Sequence, residues 1–344
     1  PAEGEKIVAT GKADVVGMTR ALIVDPYMPN KAKSGNLQQI DACLGCLQAC
    51  IGHYHNGLTI GCVQNPSAGR ENEVQTLKKS LRDKKKVLVI GPGPAGMQAA
   101  ATLDELGHKV ILADKADKIG GLLNTLKKMP MRHELAESML DNYMRKISAG
   151  NVKVTLGVSI QSEDINKILP DAIICATGSR PYIPDIPGIQ DPRVMTVEEV
   201  FHHPNNHIGK NVLVFDFAGD WPAMEAAIDL AEKGHIVSLI TARLHVGEGV
   251  PQYLRNEYLK KLYQLNVKMV PHFDLGEIKG DCVVIRNLFS YEKETMENWD
   301  SIILSHGRVP NSELYEQMKK LAPEVWHVGD CLAPRTIEEA TFEG

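Results

Sequence analysis

The chain has 344 residues, 43% hydrophobic and 24% charged, with 38 basic against 43 acidic side chains and a formal charge of −5. That length supports two or three domains with cores of their own. No basic run interleaved with aromatics points to nucleic acid, and Gly and Pro break every apolar run short of the roughly 20 residues a membrane helix needs, so neither partner is expected. With no signal-peptide pattern to send them to an oxidising compartment, the seven cysteines predict a cytoplasmic protein with a metal site, not a disulfide scaffold.

Read in chain order, residues 5–10 close a helix at Gly11, and Ala13–Met18 reads as a short buried strand. Asp25-Pro26 and Met28-Pro29 punctuate the chain before a short polar helix over 30–40. The stretch 41–70 is rich in Gly, Asn and Pro and has no period, which predicts a loop held by its metal. A polar helix over 71–83 leads into the clearest βαβ pattern. There, Lys86–Ile90 is an apolar strand, Gly91–Gly96 a tight turn, Met97–Leu106 a helix stopped by Gly107, and Val110–Ala113 a second strand ending at Asp114. Asp171–Gly178 is a further strand ending in a sharp turn. A second alternation follows, with strand Val212–Phe215, helix Ala223–Glu232 and strand Ile236–Ile240. Ser301–Leu304 with Gly307, and Glu324–Val328 with Gly329-Asp330, repeat the strand-and-turn ending.

Pro1 in place of methionine, and a helical stretch that stops at Gly344, predict a piece of a longer polypeptide. The expected organisation has four parts. They are a first segment 1–40, a cysteine segment and linker 41–80, a nucleotide domain over 81–200 and 300–344, and an inserted nucleotide-type domain over 201–299.

Cys43, Cys46, Cys50 and Cys62 follow the spacing C-x2-C-x3-C-x11-C. Three thiolates on one short loop suit a 4Fe-4S cubane, with a structural zinc as the alternative reading. Cys175, Cys282 and Cys331 read as packing residues. In Gly91-x-Gly93-x-x-Gly96 the first glycine permits the turn, the second admits a pyrophosphate and the third lets helix and strand pack closely. The free N–H groups of the helix start and Asp114 at the next strand end complete an adenine-nucleotide pattern. The second turn, Asp216-Phe-Ala-Gly219-Asp220-Trp221, has one glycine where three are wanted. Its Asp and Trp side chains argue against a pyrophosphate.

The chain resembles the iron–sulfur flavoenzymes that include trimethylamine dehydrogenase, histamine dehydrogenase and 2,4-dienoyl-CoA reductase. The resemblance rests on Gly11–Pro26, the cysteine loop, the run Cys62–Glu71, the Gly91–Gly96 turn, Ala176-Thr177-Gly178 and Val328-Gly329-Asp330. It implies an α/β architecture: the end of a (β/α)8 barrel, a 4Fe-4S loop and two Rossmann-like domains, the second inserted in the first. It places Gly17 and Arg20 near an FMN phosphate. Gly91, Gly93, Gly96, Asp114, Thr177, Gly178, Gly329 and Asp330 fall by the same resemblance at an FAD or ADP site. The implied activity is oxidation of a small amine at FMN, by a dehydrogenase or demethylase. Electrons then pass through the cluster to an electron-transfer flavoprotein or similar acceptor. An NAD(P)H-dependent 2-enoate or 2,4-dienoyl-CoA type reductase and a non-enzymatic electron-transfer subunit are the alternatives, and a homo-oligomer is compatible with either. The barrel acids and bases lie outside this chain, so no catalytic residue is assigned.

Overall fold

The five residues Lys86–Ile90 form strand β1, and the four apolar side chains from Val87 onward are buried. Such a run, apolar on both faces, belongs in the middle of a parallel sheet. In the computed structural model, which describes residues 1–80, 83–203 and 207–344 apart from the side chains of 76–80, that is its place. The order of the first sheet is β15 (Glu324–His327), β4 (Ala172–Cys175), β1, β2 (Lys109–Ala113) and β3 (Lys153–Thr155), and all its pairings are parallel. Leu88, Ile173, Cys175 and Met318 are among the fully buried residues of the core on one face. Ala95 and Ala340, from helices Pro94–Glu105 and Ile337–Glu343, pack with Ala176 in a separate small cluster.

This sheet belongs to a compact unit made of Pro1–Leu123, Glu134–Gly178 and Asn311–Gly344; a second unit comprises Asn124–His133 and Ser179–Pro310. Within the second unit a two-stranded ribbon pairs β5 (Ser179–Pro181) antiparallel with β14 (Arg308–Pro310). Its main sheet is again parallel. The order is β6 (Val194–Thr196), β13 (Ser301–Ser305), β7 (Asn211–Asp216), β8 (Ile236–Thr241) and β9 (Lys268–Pro271). Helix Trp221–Glu232 covers it with Met224, Ala227 and Ile228 fully buried. An antiparallel sheet of β10 (Phe273–Lys279), β11 (Cys282–Asn287) and β12 (Lys293–Glu297) closes the other face through Leu275, Val283 and Ile285.

The barrel expectation is corrected. Among the described residues no strand precedes β1, and no closed (β/α)8 barrel forms. Residues 1–40 make short helices at Ala2–Ala9, Thr19–Val24 and Met28–Lys33, with one tight turn at Leu37–Gln39. The expected buried strand Ala13–Met18 does not form: the stretch is irregular, with a bend at Asp14, and Val15 is 82% exposed. A strand needs a neighbour to satisfy its backbone groups, and none is supplied. Helix Glu71–Ser80 covers most of the helix expected over 71–83; residues 81 and 82, with the boundary at 81, lie outside the described residues, and Asp83 is not helical. Among the described residues no helix is long and apolar enough to cross a membrane.

Candidate functional site

The turn after β1 is built by backbone crowding. Gly91 has φ +106°, and a Cβ there would lie 2.2 Å from the Ala176 carbonyl oxygen at the end of β4. At Gly96 a Cβ would meet the Gly91 carbonyl oxygen at 1.8 Å, so the third glycine lets the helix press onto the turn. Gly93 is the opposite case. It is half-buried, with nothing within 4 Å of where its Cβ would stand. It also precedes helix Pro94–Glu105, whose N-terminus has no side-chain cap. The result is an open approach to uncapped amides at the positive end of a helix dipole, which suits an anionic group.

Two later glycines close on the same place. Gly121 faces the Gly93 Cα at 3.0 Å from its own Cβ position. Gly329, at φ +65°, lies over Ala95 (2.7 Å from its Cβ position to the Ala95 Cβ) and donates its N–H to Glu343 Oε2 at 2.7 Å. Asp330 accepts from the Arg335 N–H at 3.3 Å. Gly178 is left-handed with open space around it. Thr177 turns its hydroxyl inward, to the Asn311 carbonyl at 2.6 Å and the Cys331 sulfur at 3.1 Å. Asp114 takes the Ala116 N–H on Oδ1 at 2.6 Å. The glycines, Thr177 and Gly329 thus gather where β1, β4 and β15 end, at the carboxyl edge of the sheet.

The four clustered cysteines line one small cavity of about 20 Å³ with Arg20 and Val63. Their loop is held down by Asp41, which pairs with Arg145 and Lys146, and by Gln64, which joins Ala42 to Asn142. Cys50 lies in a wide helical turn, Gln48–Gly52, closed by the Gly52 N–H on the Leu47 carbonyl. Burial pushes the Cys46 thiol up to about 12 and raises that of Cys62, although backbone N–H groups oppose the shift. Among the described residues no three His, Cys, Asp or Glu side chains are grouped to hold a metal ion, which overturns the expected 4Fe-4S centre at Cys43, Cys46, Cys50 and Cys62. The expected route from FMN through that cluster goes with it, as does the amine oxidation built on the route. Gly17 is exposed with open space around it, and Arg20 faces the cysteine cavity.

Sequence reasoning missed the bond that ties this loop to the end of the chain. His53 Nε2 lies 2.8 Å from Glu338 Oε1, while its Nδ1 contacts the Thr59 carbonyl at 2.7 Å. Glu338 is raised first by burial, with the His53 charge opposing. Nothing in local spacing pairs residues so far apart in sequence.

Residues 85–344 match the model of the pyridine nucleotide-disulphide oxidoreductase family. The chain belongs to that family. Among similar curated proteins, the N,N-dimethylglycine/sarcosine dehydrogenase of Chromohalobacter salexigens is 28% identical over 100% of this chain and 55% of its own. The NADH oxidase of Thermoanaerobacter brockii is 30% identical over 100% of this chain and 53% of its own. The solved structure of a 2-naphthoyl-CoA reductase matches with a TM-score of 0.88 and 30% identity, over 98% of this chain and 51% of its own. The fold is therefore related to those of amine dehydrogenases and CoA reductases. The chain spans about half the length of the curated relatives it matches.

Proposed function

We propose that this chain is the nucleotide-holding half of a flavin-linked, NAD(P)H-dependent reductase, and that its first unit binds the adenosine diphosphate part of FAD. The observation that carries the reading is Gly93, open above an uncapped helix start and framed by two glycines that backbone atoms crowd. In this reading the first-turn amides of Ala95 and Gly96 bind the pyrophosphate, and Gly93 admits it by lacking a side chain. Asp114 accepts from the adenosine ribose. Gly329 and Asp330 lie along the rest of the diphosphate chain. Bound there, a flavin supplies the step between a two-electron nicotinamide donor and an acceptor. The protein's part is to hold it and keep water from its buried side.

The reductase direction is favoured by two relatives at 30% identity whose names describe NADH oxidation and reduction of an aromatic acyl-CoA. The acceptor class that follows is an unsaturated bond conjugated to a carboxylate or thioester. The test uses the full-length protein. Chromatography of heat-released cofactor is expected to yield FAD, and NADH or NADPH is expected to bleach the flavin and turn over with an α,β-unsaturated thioester. Release of ADP without FAD, or flavin reduction by small amines but by neither nicotinamide, would overturn the reading.

A further inference from the structure

The second strand–turn–helix unit, after β7, presents a helix start at Trp221 as the first unit does at Pro94, yet its turn is filled by the protein itself. Asp216, 2% exposed, takes the Gly219 N–H on Oδ1 at 2.7 Å and the Thr241 hydroxyl on Oδ2 at 3.1 Å. Its carboxylate thereby occupies a turn amide of the kind that cradles phosphate. Asp220 caps helix Trp221–Glu232 in sequence position, and its Oδ1 is buried with no partner. Gly219 is left-handed at φ +74°, and the Arg243 side chain lies 2.8 Å from its Cβ position. Arg243 is itself fixed by its Nε on the Phe217 carbonyl at 2.9 Å.

A strap covers what remains. Asn124–His133 packs as part of this unit, with Met129 in the core under helix Trp221–Glu232. Thr125 contacts His202 at 2.5 Å, and the Met131 N–H donates to Glu225 Oε2 at 3.0 Å. Glu225 is wholly buried and also accepts from the Tyr258 hydroxyl. Arg132, 4% exposed, lays its guanidinium 4.0 Å over the Trp221 ring at the first residue of the helix. Stacking of this kind strengthens with desolvation. Arg132 is also one of the charges that pulls Asp220 downward against its burial.

We infer that the second unit has replaced a dinucleotide pyrophosphate with its own groups. Asp216 and Asp220 occupy the turn, Arg132 and Trp221 seal it, and a nicotinamide dinucleotide that reduces the flavin binds elsewhere. A pyrophosphate entering this turn would displace the Asp216 carboxyl group that already holds the amide and would meet the buried Asp220 side chain. It would also have to lift a strap anchored at three points. The inference rests on the proposed reductase reading only for the identity of the ligand.

The test is hydrogen–deuterium exchange on the full-length holoenzyme with and without saturating NADH, and separately NADPH. It reads peptides covering 124–133 and 216–224 while flavin bleaching is followed in parallel. Unchanged exchange in both peptides is the expected result. Slowing by about tenfold or more in 216–224 would place the dinucleotide in the turn and overturn the inference. Absence of bleaching would remove the reductase reading, and the exchange result would still decide the turn. As a second measurement, Arg132→Gln is expected to speed exchange in 124–133 by about tenfold while KM for NADH moves less than about twofold. A tenfold rise or fall in that KM would mark the strap as part of the nicotinamide site and overturn the inference.

Discussion

Two turns of the same topological kind sit at the carboxyl edges of two parallel sheets, and they solve opposite problems. After β1, Gly91 and Gly96 are squeezed by backbone, and Gly93 is left open over uncapped amides. After β7, Asp216 faces the turn amide from within, and Trp221 with Arg132 roofs it. Strand, helix and crossover are common to both, so the sheet alone does not make a binding site. The difference is whether the group that meets the turn amides comes from outside or from the chain.

The sharpest break of this comparison is Gly96→Val. Its side chain would enter the Gly91 carbonyl, so a loss of about 3 kcal/mol or more is expected, together with loss of nucleotide binding. Urea denaturation and flavin fluorescence check both. A variant that keeps full affinity would show that the crowding at this turn is not required. In the second unit Glu225→Ala strands the Tyr258 hydroxyl and the Met131 N–H in the core. It should cost about 2–4 kcal/mol and leave nucleotide binding by the first unit in place, and Glu225→Gln should cost less.

Acidity distinguishes the turns next. Burial pushes Asp216 from 3.8 to about 7 and Asp220 from 3.8 to about 6. Between the ordinary carboxylate range and those values the native state holds more protons than the unfolded chain. Stability therefore falls as pH rises from about 4 to about 7, and the loss is complete above the folded values. Asp216→Asn should flatten that slope in thermal melts taken across the range, and an unchanged slope would refute the assignment. The smallest effects concern the caps. Thr336 and Thr196 each begin a helix with a reciprocal capping box, one in each unit. Replacing either with alanine is expected to cost about 1 kcal/mol. Only Thr336→Ala should also weaken nucleotide binding, because its helix lies against Gly329 and Ala95.

The parallel strands were readable because a strand buried on both faces is a continuous apolar run bounded by Gly or Asp. Lys86–Ile90 has the same limits in sequence and structure, and Val212–Phe215 extends by one residue at each end. The helix after the first turn starts at Pro94, three residues ahead of expectation, since proline suits the first helical position. Ala13–Met18 misled because apolar content alone cannot provide a pairing partner. The cysteine spacing misled for a related reason. Spacing brings sulfurs onto one loop, but whether they converge on an ion depends on how Asp41, Gln64 and the rest of the unit fix that loop.

By itself, then, the sequence determined the two strand–turn–helix units and the glycines that make one turn permissive, because these depend on residues a few positions apart. Tertiary structure alone decided that Arg132 stacks on Trp221, that Glu225 anchors a strap from nearly a hundred residues away, and that His53 meets Glu338. Such contacts depend on which surfaces the buried sheets bring together. Local pattern carries no record of that.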